Sequence, residues 1–518
     1  METFSNYNTF VVLFAAVGSL VTGYGMAVIG NTLGQPTFYS TMKLVAVPTA
    51  PGYDYTGTII GAANGTFFGA GFIGCLIAAW MVDFWGRVST FRIAAILGII
   101  GGAVQGGAAN PGMYLGGRAL TGIPVGMLLA GMPIYFAEVA PPHSRGLMAG
   151  AHGTFINLGY ALAAWIGFAC YYSAASTFGW RFPNSVFALW AVLLLIGTIY
   201  IPESPRWLVQ VGRVDQALKI LCRLHQDAND PEDSFAHREL ELVVQKTEAD
   251  RAAKVSGGRW QLLTKKSYRT RFILALMLAT GGQNCGILVI NNYNVLLYQS
   301  LGLTGSMSLL IAAIWNTVAL IANAVGAWTS DRTGRRRALV WGYAFTVGCF
   351  VIATGLIGKY SETPTKGYAA ASVVFLFLYV TGYGSMIDVN QFTVISEIFP
   401  SHIRGEAACI SIGSLLLVDV LWLELQPVAT RTIGWKYYIV FVAMGIAHFV
   451  YFYFFLPETS GVALEELDRI FGEPNTGDFR LENRGDVDTV SNDAQNQYPE
   501  KTSQRKSTER QVELVSEA

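Results

Sequence analysis

The chain has 518 residues, of which 52% are hydrophobic and only 14% charged, against about a quarter charged in an ordinary soluble domain. That balance excludes a purely soluble protein and sets the apolar surplus against lipid. Lysine plus arginine equals aspartate plus glutamate at 35 each, so net charge gives no case for nucleic acid or an acidic partner.

A helix needs about 20 apolar residues to cross a hydrocarbon core of about 30 Å, and such runs occur twelve times. In chain order they are Phe10 to Gly30, Thr58 to Val82, Phe91 to Ala109, Met113 to Phe136, Leu147 to Cys170 and Pro183 to Ile201, then Phe272 to Tyr298, Ser306 to Trp328, Ala338 to Ile357, Ala369 to Ser396, Ala407 to Val428 and Tyr437 to Leu456. The first has no basic leader and no small-residue cleavage site, and reads as a retained span rather than a signal peptide. Many of the 56 glycines lie inside these runs, where close helix packing in a membrane tolerates them. Cys75, Cys170, Cys222, Cys285, Cys349 and Cys409 show no metal-ligand spacing and read as free thiols.

The runs divide six and six around a charged stretch whose segments Val214 to Leu224 and His237 to Asp250 predict amphipathic helices. The expected organisation is all-α and polytopic: a six-helix domain over residues 1–201, a linker over 202–271, a second six-helix domain over 272–456, and a tail over 457–518, disordered beyond 471. Arg206, Arg213, Lys265, Lys266, Arg269 and Arg271 flank the linker, and Arg332, Arg335, Arg336 and Arg337 crowd the loop after span eight. The positive-inside rule places those loops, and both termini, in the cytoplasm.

Three charged motifs of the first half return in the same order, at nearly one spacing, in the second. Asp83-Phe-Trp-Gly86-Arg87 pairs with Asp331-Arg-Thr-Gly334-Arg335-Arg336. Glu138-Val-Ala-Pro141-Pro-His-Ser-Arg145-Gly146 pairs with Glu397-Ile-Phe-Pro400-Ser-His-Ile-Arg404-Gly405. Pro202-Glu203-Ser204-Pro205-Arg206 pairs with Pro457-Glu458-Thr459. The chain therefore reads as two related six-helix halves. With twelve spans all six motifs fall on one membrane face, where their acids and arginines are expected to form a state-dependent charge latch.

Polar side chains inside apolar spans are costly and tend to face an internal cavity. Span seven supplies Gln283, Asn284, Asn291, Asn292, Tyr293 and Asn294; span five supplies His152 and Asn157; span ten supplies Asp388 with Gln391 and Phe392 on the same face. Amides both donate and accept, which suits vicinal hydroxyls. Asp388, Asp419 and Glu424 are carboxylates at membrane depth and are candidates for carrying a coupled proton. His152 stands open between a hydrogen-bonded structural group and a ligand or proton carrier. Asn64-Gly-Thr66 has the form of a glycosylation site but lies within span two and is discounted.

The repeated loops, with Gly117-Arg118, Gly122 and Gly126 in span four, resemble the signature of the sugar porter family of the major facilitator superfamily. The resemblance covers Asp83 to Gly461. It implies twelve helices in two pseudo-symmetric bundles and a carrier for hexoses, related sugars or polyols that works by alternating access. Aligned on Gly286, the family's span-seven pattern keeps Gln283 and Tyr293 but meets Gly282, Leu288 and Asn292 where it has a glutamine, an asparagine and a tyrosine. The family's span-five glutamine falls on Gly153, and its span-ten tryptophan on Phe392. Proton-coupled members resemble G-Y-D in span one; here the triplet is Gly23-Tyr24-Gly25, which leaves facilitated diffusion or a relocated proton site.

Two other readings remain: a carrier of a non-sugar metabolite such as a quinate-like cyclic acid, and a sugar sensor that does not transport. No P-loop, G-x-S-x-G or metal-ligand cluster points to an enzyme, and no cofactor is expected. The default expectations are a monomer and the plasma membrane.

Overall fold

The computed structural model describes residues 6–46, 50–139, 145–173, 176–224, 233–257, 261–399, 401–459 and 471. The segment expected to be disordered beyond 471 lies outside them. Among the described residues twelve helical segments are long and apolar enough to cross a membrane.

The first six spans are α1 (Asn6–Thr32), α3 (Tyr53–Phe84), α4 (Arg87–Gly106), α5 (Pro111–Val139), α6 (Arg145–Tyr171) and α7 (Phe178–Tyr200), with a short α2 (Pro36–Met42) after the first. Between the sixth and seventh come α8 (Pro205–Gln210), α9 (Val214–Leu224), α10 (Ser234–Gly257) and α11 (Gln261–Thr264). Leu208, Val209, Ala217 and Val243 gather there into a small apolar core of their own.

Two of the remaining spans depart from a plain helix. Span seven is broken into α12 (Lys266–Asn284) and α13 (Ile287–Ser300). At the break Gly286 has φ +85°, a left-handed conformation that ends the helix and that glycine adopts without a Cβ penalty. A Cβ at Gly286 would also lie 2.9 Å from the Phe441 ring. Span ten runs as α16 (Lys366–Gly382), a π-helical turn over Tyr383–Asp388, and α17 (Val389–Glu397); such a turn re-aims the side chains that follow it. The other spans are α14 (Ser306–Thr333), α15 (Arg335–Glu362), α18 (Ser401–Thr432) and α19 (Tyr437–Phe455).

Small residues set how the spans meet. Along α3 and α5, a Cβ at Gly74, Gly122 or Gly126 would run into the backbone carbonyl of Ile123, Phe67 or Gly71 respectively. These helices touch backbone to backbone, the close approach that membrane packing favours. A second glycine seam joins the two bundles: Gly57, Gly61, Gly65 and Gly71 on α3 face Pro427, Glu424 and Leu416 on α18. The bundles meet again where α6 packs on α14 and α1 on α13.

Candidate functional site

Between the bundles lies a cavity with about 80 Å³ open to the centres of water molecules. One water needs about 10–15 Å³ on that measure, so several waters, or a small ring in their place, fit. From the first bundle the wall is built by Met26, Leu129, Gly153, Ile156, Asn157 and Tyr160. From the second come Gln283 at the end of α12, Asn291 on α13, Trp315 and Asn316 on α14, Tyr383, Asp388 and Phe392 in span ten, and Asp419 on α18. The break at Gly286 lets Gln283 and Asn291 face the same space from two helices. The π-helical turn ends on Asp388.

Asp388 is the centre of the polar wall. Its Oδ2 accepts from Asn157 Nδ2 at 3.1 Å and from Asn323 Nδ2 at 2.8 Å, and its Oδ1 accepts from Gln391 Nε2 at 3.3 Å. Asn323 on α14 also accepts from the Thr154 hydroxyl at 3.2 Å. Sequence reasoning missed this residue. The available signal was the pair Asn316 and Asn323, seven residues apart in an apolar span and so on one helix face.

Asn323 and Gln391 occupy room left by two glycines. A Cβ at Gly153 would stand 3.3 Å from the Asn323 amide, and one at Gly282 would press on the Gln391 amide and lie 2.9 Å from the Tyr383 hydroxyl. These are the two glycines that stand where the resemblance places glutamines. The amides are present in the structure, but they come from spans eight and ten.

The other candidates separate. Gln283, Asn291, Asn157, Phe392 and Asp388 line the cavity, and Gln391 stands behind Asp388. Asn284 accepts from the Trp422 indole at 2.8 Å. Asn292 is fully buried beyond the wall, and its backbone carbonyl lies close against Gly30. Tyr293 donates to the Leu423 carbonyl at 2.8 Å and accepts from Asn64 at 3.2 Å, tying spans two, seven and eleven together. Asn64 itself is fully buried. His152 shares a hydrogen bond of 2.7 Å with Ser19 and packs against the rings of Phe136 and Phe392. Of the carboxylates, Asp419 lines the cavity, whereas Glu424 is exposed and packs against Gly61 and Gly65.

The loop motifs fold into the same arrangement twice. Arg87 makes a two-pronged bond with Glu138 at 2.7 and 2.8 Å and lies 3.7 Å from Asp83. Glu203 accepts from the backbone N–H groups of Arg87 at 2.9 Å and Val88 at 3.1 Å, capping the start of α4. In the second bundle Arg335 pairs with Glu397, and Glu458 caps α15 through the N–H groups of Arg335 at 2.9 Å and Arg336 at 3.3 Å. A carboxylate at a helix N-terminus meets both unpaired N–H groups and the positive end of the dipole. Every one of these contacts lies within one bundle. Arg206 is half-buried in α8; the side chains of Arg145, Asp331 and Arg404 lie outside the described residues. At the other end of the spans Arg431 on α18 pairs with Asp54 on α3, joining the bundles.

A family model described as "Sugar (and other) transporter" matches residues 11–471. The chain is 30% identical to a protein named probable quinate permease from Aspergillus flavus, across 98% of this chain and 97% of that one. It is 26% identical to a high-affinity glucose transporter from Kluyveromyces lactis, across 90% of this chain and 85% of that one. Among solved structures it is similar to the proton:xylose symporter XylE bound to 6-bromo-6-deoxy-D-glucose, with a TM-score of 0.76, 24% identity, and coverage of 90% of this chain and all of the other.

Proposed function

The chain belongs to the sugar (and other) transporter family of the major facilitator superfamily, and from that membership we propose that it carries a small, uncharged, polyhydroxylated solute, a sugar or polyol, through the central cavity. The observation that carries the reading is the chemistry of the wall. Asn157, Gln283, Asn291, Asn316 and Asp388 line it together with Tyr383 and Trp315, and among the described residues no lysine, arginine or histidine does so. Amides and carboxylate oxygens meet hydroxyl groups in both directions, and the rings offer flat apolar faces to a sugar's C–H side.

Transport follows by alternating access. The bundles within residues 1–201 and 272–456 rock about the cavity, the helices of 202–271 connect them, and the charged loop ends, each paired within its own bundle, brace one face rather than bolt the bundles together. Positive-inside charge supports a cytoplasmic position for that face and both termini; the plasma membrane and a monomeric working unit are the default reading.

A second reading, a quinate-like cyclic acid, is supported by the name of the Aspergillus flavus relative. It meets the difficulty that an anionic solute would sit beside Asp388 with no cation on the wall, so it requires the acid to travel with a proton.

The test is uptake of labelled hexoses, pentoses, disaccharides, polyols and quinate into proteoliposomes. Saturable uptake of neutral sugars or polyols is expected. Uptake of quinate alone would replace the first reading by the second, and uptake of none would remove both.

A further inference from the structure

Two carboxylates line the cavity, and their surroundings differ. Both oxygens of Asp388 are engaged by amide N–H donors, from Asn157, Asn323 and Gln391. Three amide donors hold the ionised form of Asp388, and a proton added to the carboxylate would weaken all three by removing the charge that they serve. Asp419 is 2% exposed, lines the same cavity, and its Oδ2 has no hydrogen-bond partner among the described residues. An ionised oxygen there has lost its water and gained nothing in return; a proton on it disturbs no contact and removes an uncompensated charge.

The titratable groups on the wall beside Asp419 are Tyr160 from α6 and Tyr383 and Asp388 from span ten. From α13, Tyr293 is already bonded to the Leu423 carbonyl and to Asn64. From α5, the fully buried Arg118 donates to the carbonyls of Ala63 at 3.1 Å and Gly25 at 3.2 Å and lies over the Phe67 ring at 3.9 Å. Span one thus presents a backbone carbonyl to that cation, Gly25 having no side chain to ionise.

We propose that Asp419 is the proton-coupling residue of this transporter, and that Asp388 is a fixed member of the solute site. The inference rests on the transport reading above. In one cycle the Asp419 carboxylate takes a proton from water that enters the cavity while it is open to one side. With Asp419 neutral and the solute bound, the bundles rock to open the cavity to the other side, where the O–H bond breaks and the proton returns to water. One proton accompanies one solute, with no other reactant.

The experiment uses the full-length protein in proteoliposomes with labelled glucose, xylose and quinate, and reads two quantities: accumulation driven by an inside-alkaline pH step, and solute exchange at equal pH. One pH unit at one proton per solute supports about tenfold accumulation. The wild type is expected to accumulate solute; Asp419→Asn is expected to exchange, more slowly, yet only equilibrate; Asp419→Glu, which keeps an ionisable group, is expected to accumulate. Wild-type uptake that ignores the pH step, accumulation by Asp419→Asn, or exchange without accumulation in Asp419→Glu would each overturn the inference while leaving transport standing. Wild-type vesicles that take up none of the three solutes would overturn the transport reading for those solutes and the inference with it.

Discussion

Asn157 on α6 donates to Asp388 in span ten at 3.1 Å, so a side chain from the first bundle is bound to a carboxylate of the second across the cavity. Under the transport reading proposed above, the contact joins the two bodies that separate when the cavity opens. A solute that takes over either partner changes what holds the cavity shut, which links occupancy to conformation through differential contacts.

Asn157→Ala should weaken solute binding, since a hydrogen bond to a charged group contributes about 1.5–3 kcal/mol, equivalent to about 10–150-fold in affinity. The half-saturation concentration for uptake should rise by that factor. Asp388→Asn should abolish uptake, because three amide donors would then face one carbonyl oxygen and one amide nitrogen. Uptake by Asp388→Asn with unchanged saturation would remove Asp388 from the solute site.

Gly153→Gln should crowd Asn323, whose amide stands 3.3 Å from the position of the added Cβ. Overpacking of this kind costs about 1–3 kcal/mol, and uptake should fall accordingly. Adding Asn323→Ala to Gly153→Gln should restore uptake toward the original level by making room for the new amide. A double variant no better than the single one would show that the two positions do not share one space.

The twelve spans and the duplicated loops were legible because membrane thickness sets helix length and because the charged motifs recur in order. Span seven read as one continuous run from Phe272 to Tyr298, since apolar length alone does not reveal that Gly286 turns left-handed. The π-helical turn before Asp388 carries no compositional mark at all. The site was legible as a set of polar residue types, less so as a wall: Tyr293 has the right chemistry for a ligand, yet its hydroxyl is taken up between Asn64 and Leu423. Asn323 was marked only by its spacing from Asn316 on one face of span eight; its bond to Asp388, 65 residues away in sequence, is a relation that no local pattern encodes.

Arg87→Ala should lower thermal stability in detergent more than any single exposed substitution. It would strand the largely buried Glu138 carboxylate, and breaking such a pair costs about 3–5 kcal/mol. Arg87→Ala combined with Glu138→Ala should cost less than the sum of the two, and the shortfall in a double-mutant cycle measures the pair. Additive losses would mean that the pair carries no coupling.

Asp54 and Arg431 pair across the glycine seam between α3 and α18. Cysteines at both positions should form a disulfide under mild oxidation that blocks uptake, with recovery on adding a reductant. Full uptake by the cross-linked protein would show that α3 and α18 do not part there during the cycle.

Glu203 and Glu458 each close a loop inside their own bundle, the acid after the sixth span of the set seating on the helix that begins the third. Neither bundle borrows from the other to satisfy that helix end. Cutting the polypeptide between residues 225 and 232 would therefore leave two fragments, each with its capping carboxylate and its arginine–glutamate pair intact, so a split gene would inherit two bodies with finished loop ends that rejoin through the α3–α18 glycine seam and the Asp54–Arg431 pair.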